Sequence, residues 1–147
     1  MSSTRIWHRS DLDPADITRK EGQSLAEHLG IVITAIGDDY VAATMPVDTR
    51  TVQPHGRLHG GASVALAETV GSLAANLTLD PAEQIAVGLE INANHVRPVK
   101  SGLVQATARP EALGRTTQIW SIRIVDEQQR LVCISRLTMA VIPVERK

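Results

Sequence analysis

The spacing of apolar positions changes along this chain. Residues 62–77 carry small or apolar side chains at nearly every position. Val64, Ala67, Val70, Gly71, Ala74 and Ala75 mark one helical face, and Leu66, Leu73 and Leu77 another. A helix with no wet side is normally buried in the middle of something. The flanking runs alternate instead. Residues 31–36 and 40–45 read as two strands joined by the turn Gly37-Asp38-Asp39, and residues 85–96, 103–108, 117–125 and 131–142 read as four more. In the third of these four, Gln118, Trp120, Ile122 and Ile124 oppose Thr117, Ile119, Ser121 and Arg123. In the last, Leu131, Cys133, Ser135, Leu137, Met139 and Val141 share a side. Residues 16–29 show a weaker helical pattern, interrupted by Gly22 and stopped by Gly30. Residues 46–58, with Pro54 and Gly56, form a loop, and the polar residues 1–15 are expected as a peripheral arm ordered by docking.

The order is therefore a short helix, two strands, one long apolar helix and four strands. An antiparallel sheet cannot leave an all-apolar helix on its surface. The economical arrangement is α+β, a single domain over residues 1–147 in which a six-stranded antiparallel sheet wraps around one long central helix. Such a sheet has free edges, and pairing with a second copy would cover one, so a homodimer is expected.

Composition narrows the picture. The 147 residues can bury a real core. Charged residues make up 21% and the net charge is −1, so no field draws the chain to nucleic acid or an anionic membrane. No segment reaches the ~18 apolar residues of a membrane span, and no signal-peptide pattern is seen at the start. The single cysteine, Cys133, excludes an internal disulfide and suits a reducing cytoplasm. Phe is absent, so aliphatics and alanine must build the core around Trp7, Tyr40 and Trp120.

Between His59 and Asp80 the long helix carries one charge, Glu68. Burying an ionised carboxylate alone costs several kcal/mol. Either a hydroxyl such as Thr69 or Ser72 satisfies Glu68, or it faces a cavity where it works. Gly60-Gly61 opens the same helix. First-turn N–H groups have no intrahelical partners, the dipole adds positive potential, and glycine permits close approach of a carbonyl. Gly60 and Gly61 thus make a candidate oxyanion site, or simply a flexible joint. Glu68 lies about 12 Å along at 1.5 Å per residue. One subunit cannot bring both to one carbonyl, whereas the second subunit's acid could reach the first subunit's helix start.

The segment from Gln53 to Ser72, followed by residues 87–95 (Val-Gly-Leu-Glu-Ile-Asn-Ala-Asn-His), resembles the hotdog-fold acyl-CoA thioesterases. The resemblance is to the bacterial branch containing the 1,4-dihydroxy-2-naphthoyl-CoA hydrolases of menaquinone synthesis and the enterobactin-pathway proofreading thioesterase. It runs from about Trp7 to Val141 and includes Met45-Pro46-Val47-Asp48 and Ser135-Arg136-Leu137-Thr138. It implies a hotdog fold, a dimer of dimers (a homotetramer) and active sites at subunit interfaces. It implies that Glu68 is the catalytic carboxylate, nucleophile or general base. It implies that Gln53 stands near the thioester and the attacking water, and that the Gly60 N–H polarises the carbonyl with His59 beside it. Ser72 matches a hydroxyl near the water, and His95 a histidine lining the site. Gly61 and Thr69 join the expected substrate contacts. His55 departs from relatives with an apolar residue there.

The expected reaction is hydrolysis of an aromatic acyl-CoA, such as 1,4-dihydroxy-2-naphthoyl-CoA, with coenzyme A as part of the substrate and no separate cofactor. Arg97, Lys100, Arg115 and Arg136 are candidates for the coenzyme A phosphates, Arg115 foremost by its loop position. Rival readings are weaker. A metal site from His55, His59, His95 and Glu68 has its His-x-x-x-His spacing partly in a loop and no evident outer hydrogen-bonding pattern. A serine hydrolase using Ser63 lacks the glycine of a nucleophile elbow at Ala65. A hotdog dehydratase fits the fold but not the Gln53 loop, and a non-catalytic acyl-CoA-binding protein is the remaining alternative.

Overall fold

The computed structural model describes residues 4–146. Two short helices open it, α1 (Pro14–Lys20) and α2 (Leu25–His28). Sequence periodicity suggests one helix over residues 16–29. The chain instead breaks at Gln23, whose φ of 60° cannot continue a right-handed helix. Asp13 caps α1 by accepting the Ala15 N–H (3.0 Å), and Ser24 caps α2. Gly30, at φ 72°, ends α2 as its residue type suggests.

The strands are β1 (Val32–Ile36), β2 (Val41–Pro46), β3 (Gln84–His95), β4 (Leu103–Leu113), β5 (Thr117–Val125) and β6 (Leu131–Pro143). They form one antiparallel sheet in the order β1-β2-β4-β5-β6-β3. β4 runs five residues past its expected end at Ala108, through Pro110. A bulge between Pro110 and Ala112 accommodates the proline, which has no N–H to give the ladder.

The long helix, α3 (Gly60–Leu77), packs across β2, β4, β5, β6 and β3. Leu66, Ala67, Val70 and Ala74 meet Trp120, Ile122, Leu137 and Met139 in a core without phenylalanine. Gly71 lets the helix approach the sheet, since a Cβ there would stand 2.7 Å from Leu137 Cδ2. The expectation of a helix buried on every side is corrected within one chain. The sheet covers Ala62, Ser63, Leu66, Ala67, Val70, Gly71, Ala74 and Ala75, while Val64, Ala65, Glu68, Thr69 and Ser72 form a half-open flank. The sheet can cover only one side of a rod.

Residues 4–13 are held to this body by Trp7. Its ring lies parallel to Trp120 with centroids 6.4 Å apart, and its Nε1–H donates to the Gly37 carbonyl (2.6 Å). Arm and loop backbone bonds follow: Ile6 N–H to Asp38 O (3.1 Å) and His8 N–H to Leu77 O (2.9 Å).

The two sheet edges differ. At β1 the Ile33 N–H donates to Thr18 Oγ1 of α1 (3.0 Å), and a bulge follows Ile33. At β3 the strand is 12 residues long and exposes Ile85, Val87 and Leu89. No helix among the described residues is long and apolar enough to cross a membrane.

Candidate active site

The loop between β2 and α3 sets the helix start. Thr51, 1% exposed, donates its Oγ1–H to Pro46 O (2.7 Å) and accepts the Asp48 N–H (3.1 Å). His59 N–H then donates to Thr51 O (2.8 Å), and Leu58 N–H to Val99 O (2.8 Å), tying the loop to the β3–β4 connection. His59 is the N-cap of α3: its Nδ1 accepts the Gly61 N–H (2.8 Å), and its carbonyl accepts those of Ala62 (3.0 Å) and Ser63 (3.1 Å). Among the described residues the Gly60 N–H meets no acceptor. It is the donor left over at the positive end of an 18-residue helix.

His95 comes to the same place from β3. A Cβ on Gly60 would stand 3.0 Å from His95 Nε2, so a side chain there would crowd the imidazole. Gly60, His95, Gln53 and the buried Ser63 line a cleft of 420 Å³, with Arg57 and Arg97 beside them. Gln53 turns its Oε1 to accept the His55 N–H, which rigidifies the loop and leaves its Nε2 without a partner among the described residues. Cys133, opposite His95 in the β3–β6 register, is buried, and burial pushes its thiol pKa up. It packs as a protonated thiol.

Glu68 lies elsewhere, about 12 Å down the helix. Its carboxylate has no hydrogen bond or ion pair among the described residues. It rests on Gly88 of β3, where a Cβ would come within 2.6 Å of Oε1. Neither hydroxyl proposed as its partner takes that part: Thr69 Oγ1 donates to Ala65 O (2.7 Å) instead. Ser72 is on the same half-open flank one turn on. Asn76, which sequence reasoning did not single out, clasps β3 to this flank. Its Nδ2 donates to Ser72 O (2.9 Å) and Ala86 O (3.1 Å), and its Oδ1 accepts the Ala86 N–H (2.9 Å). The signal was present, a lone amide in an apolar helix, as Glu68 is its lone acid.

One chain therefore brings Gln53, His59, Gly60, Gly61 and His95 together and keeps Glu68, Thr69 and Ser72 apart from them. Arg115 stands away from the His95 cluster, at the level of the Gly88 row on which Glu68 rests but across β6 from it. It precedes Thr117, which is opposite Ala140, whereas His95 is opposite Cys133, so the two rows lie about 23 Å apart along β6. Arg57 and Arg97 are the cations at the cleft. Among the described residues no group of three His, Cys, Asp or Glu side chains could hold a metal.

Residues 55–133 match the family described as the thioesterase superfamily. The chain belongs to that family. A 1,4-dihydroxy-2-naphthoyl-CoA hydrolase of Escherichia coli K12 is 50% identical over 137 residues, which is 93% of this chain and 99% of that protein. The proofreading thioesterase EntH of Cronobacter sakazakii is 56% identical over 119 residues, 81% of this chain and 86% of EntH. A crystallised thioesterase of Haemophilus influenzae superposes with a TM-score of 0.92 at 50% identity, covering 96% of this chain and 97% of its own. The six-stranded sheet around α3 is thus the hotdog fold of these thioesterases, and the enzyme is a thioester hydrolase.

Proposed function

We propose that this thioesterase hydrolyses an aromatic acyl-CoA to the free acid and coenzyme A, with 1,4-dihydroxy-2-naphthoyl-CoA as the leading candidate, in the cytoplasm. The single observation carrying the mechanism is the pairing of an unsatisfied Gly60 N–H with an unpartnered Glu68 too far along the same helix to serve the same carbonyl. Two antiparallel copies joined through β3 remove the difficulty. The acid of one copy then faces the cleft of the other.

In that arrangement the thioester oxygen sits on the Gly60 N–H and the helix dipole stabilises the tetrahedral oxyanion. Glu68 of the opposing copy takes a proton from water as the water oxygen attacks the carbonyl carbon, or attacks the carbon itself and forms an acyl–Glu68 anhydride that water hydrolyses once the thiolate has left. The C–S bond then breaks and the thiolate leaves as the thiol once protonated. Gln53 Nε2 and Ser72 position the reacting groups, and Gly61, Thr69 and His95 shape their surroundings. His59 acts by capping the helix. Arg57 and Arg97 suit the phosphates of coenzyme A better than Arg115 of the same chain. Thioesters lack much of an ester's resonance stabilisation, so one carboxylate and one oxyanion donor suffice without a triad.

The aromatic preference draws on the name of the Escherichia coli relative. The assembly is a homodimer at least, with a tetramer formed by two dimers. Steady-state hydrolysis of benzoyl-CoA and 1,4-dihydroxy-2-naphthoyl-CoA by the wild type and Glu68→Gln tests the mechanism. The variant is expected to lose about 10²–10⁴-fold in kcat, the range of a general base. Equal rates would remove Glu68 from the chemistry.

A further inference from the structure

A second cavity lies away from the cleft, under the N-terminal arm. It has a volume of 270 Å³, and its interior is lined by Leu12, Ile17, Leu73, Leu77 and Leu79. We infer that this crevice receives the far end of the acyl group, so that the N-terminal arm and α1 are part of the substrate site. The inference rests on the proposed thioester hydrolysis at Glu68 and adds to it a specificity wall.

Continuity is the first argument. Leu73 follows Ser72 directly on α3 and is half-buried like Ser72 and Glu68. At 100° and 1.5 Å per residue, Glu68, Ser72, Thr69 and Leu73 follow one another around about 140° of the helix within about 8 Å of rise. A carbonyl held beside Glu68 can therefore extend its acyl substituent along this flank to Leu73. The crevice begins where the flank ends.

Chemistry is the second. The floor is aliphatic; on the rim Arg9 pairs with Asp11 (2.6 Å) and Lys20 with Asp16 (2.8 Å), and Asp13 and Glu21 leave an excess of acids. Asn76 also borders the cavity, but its amide is already committed to Ser72 and Ala86. An uncharged, flat or branched hydrocarbon group is the occupant such a lining favours, and an anionic one is not. The rim also carries His8, whose Nε2 stands 3.8 Å from Asp80 Oδ1. Its imidazole can meet a ring hydroxyl.

Rigidity is the third. The wall that Leu12 provides is fixed by neighbours on both sides. Trp7 is anchored on Trp120 and Gly37, His8 N–H is bonded to Leu77 O, and Asp13 caps α1. A preformed crevice costs a ligand less ordering than one it must shape itself.

The test fills or empties the crevice without touching the reacting groups. For Leu12→Trp, kcat/KM for 2-naphthoyl-CoA is expected to fall at least about 10-fold, while that for the shortest acyl-CoA the wild type turns over stays within about 2-fold. Leu12→Ala, which cannot clash, is expected to lower 2-naphthoyl-CoA turnover about 3- to 10-fold with the same indifference for the short substrate. Melting temperatures of both variants report folding, and Leu12→Ala alone decides the matter should Leu12→Trp fail to fold. Equal losses on long and short substrates, or no change on either, overturn the crevice while leaving hydrolysis at Glu68 intact. A wild type that turns over no acyl-CoA overturns the hydrolytic reading and the crevice with it.

Discussion

Glu68 and Gly88 are set against each other so closely that a single methyl group would separate them. A Cβ at position 88 would stand 2.6 Å from Glu68 Oε1, and the carboxylate is the side that must yield. A shift of about 1 Å in a reacting group can cost about 100-fold in rate. Gly88→Ala is therefore expected to lower kcat by about 10- to 100-fold with little change in melting temperature. Parallel kinetics and thermal unfolding check this, and an unchanged kcat would show that the carboxylate has room to spare. Glu68 was legible in the sequence because an isolated charge stands out on an apolar rod. His95 was legible only through family resemblance, since 35 residues of chain separate it from the Gly60 that it touches. Arg57 drew no notice in the sequence because nothing local distinguishes an arginine beside a cleft from one in solvent.

At the scale of elements, local pattern gave the strands of β5 and β6 and the length of α3 closely. It failed where a single residue overrides periodicity. Gln23 splits the first helix, and the bulge after Pro110 carries β4 past its apparent end. The arm was expected to order by docking, and Trp7 is how it docks, only 7% exposed in its stack with Trp120. Trp7→Ala removes that ring and leaves a void, so a loss of about 3 kcal/mol is expected, measurable by urea unfolding. The β5–β6 turn supplies a pH signature. Burial opposes charge on Asp126, but hydrogen bonds from the Arg130 N–H, the Arg130 guanidinium and the Gln128 N–H outweigh it and hold the carboxyl pKa below its usual range. A carboxyl depressed on folding stabilises the native state above its unfolded pKa of about 4, and that stabilisation is lost as pH falls through the lower folded value. The melting-temperature gap between wild type and Asp126→Asn should thus be full at neutral pH and close below about pH 4. A gap independent of pH would assign the turn's stability to its shape instead.

For the whole molecule, the layered architecture could be read from element order, because an apolar helix among amphipathic strands has few ways to be covered. Sequence could not say which sheet edge stays open. Thr18 occupies the β1 edge, whereas β3 offers 12 residues with Ile85, Val87 and Leu89 exposed. A Val87→Asp, Leu89→Asp double variant is expected to sediment as a monomer and to lose activity together with assembly. A monomer that kept its turnover would refute the shared site. The distance along α3 between the free amide of Gly60 and the acid of Glu68 carries a further consequence, one of genetics. Two defective alleles, Glu68→Gln and Gln53→Ala, should complement when their products are unfolded and reassembled as an equal mixture, because each mixed pair regains one sound site. About a quarter of all sites would then be whole, from two parents that are each inert.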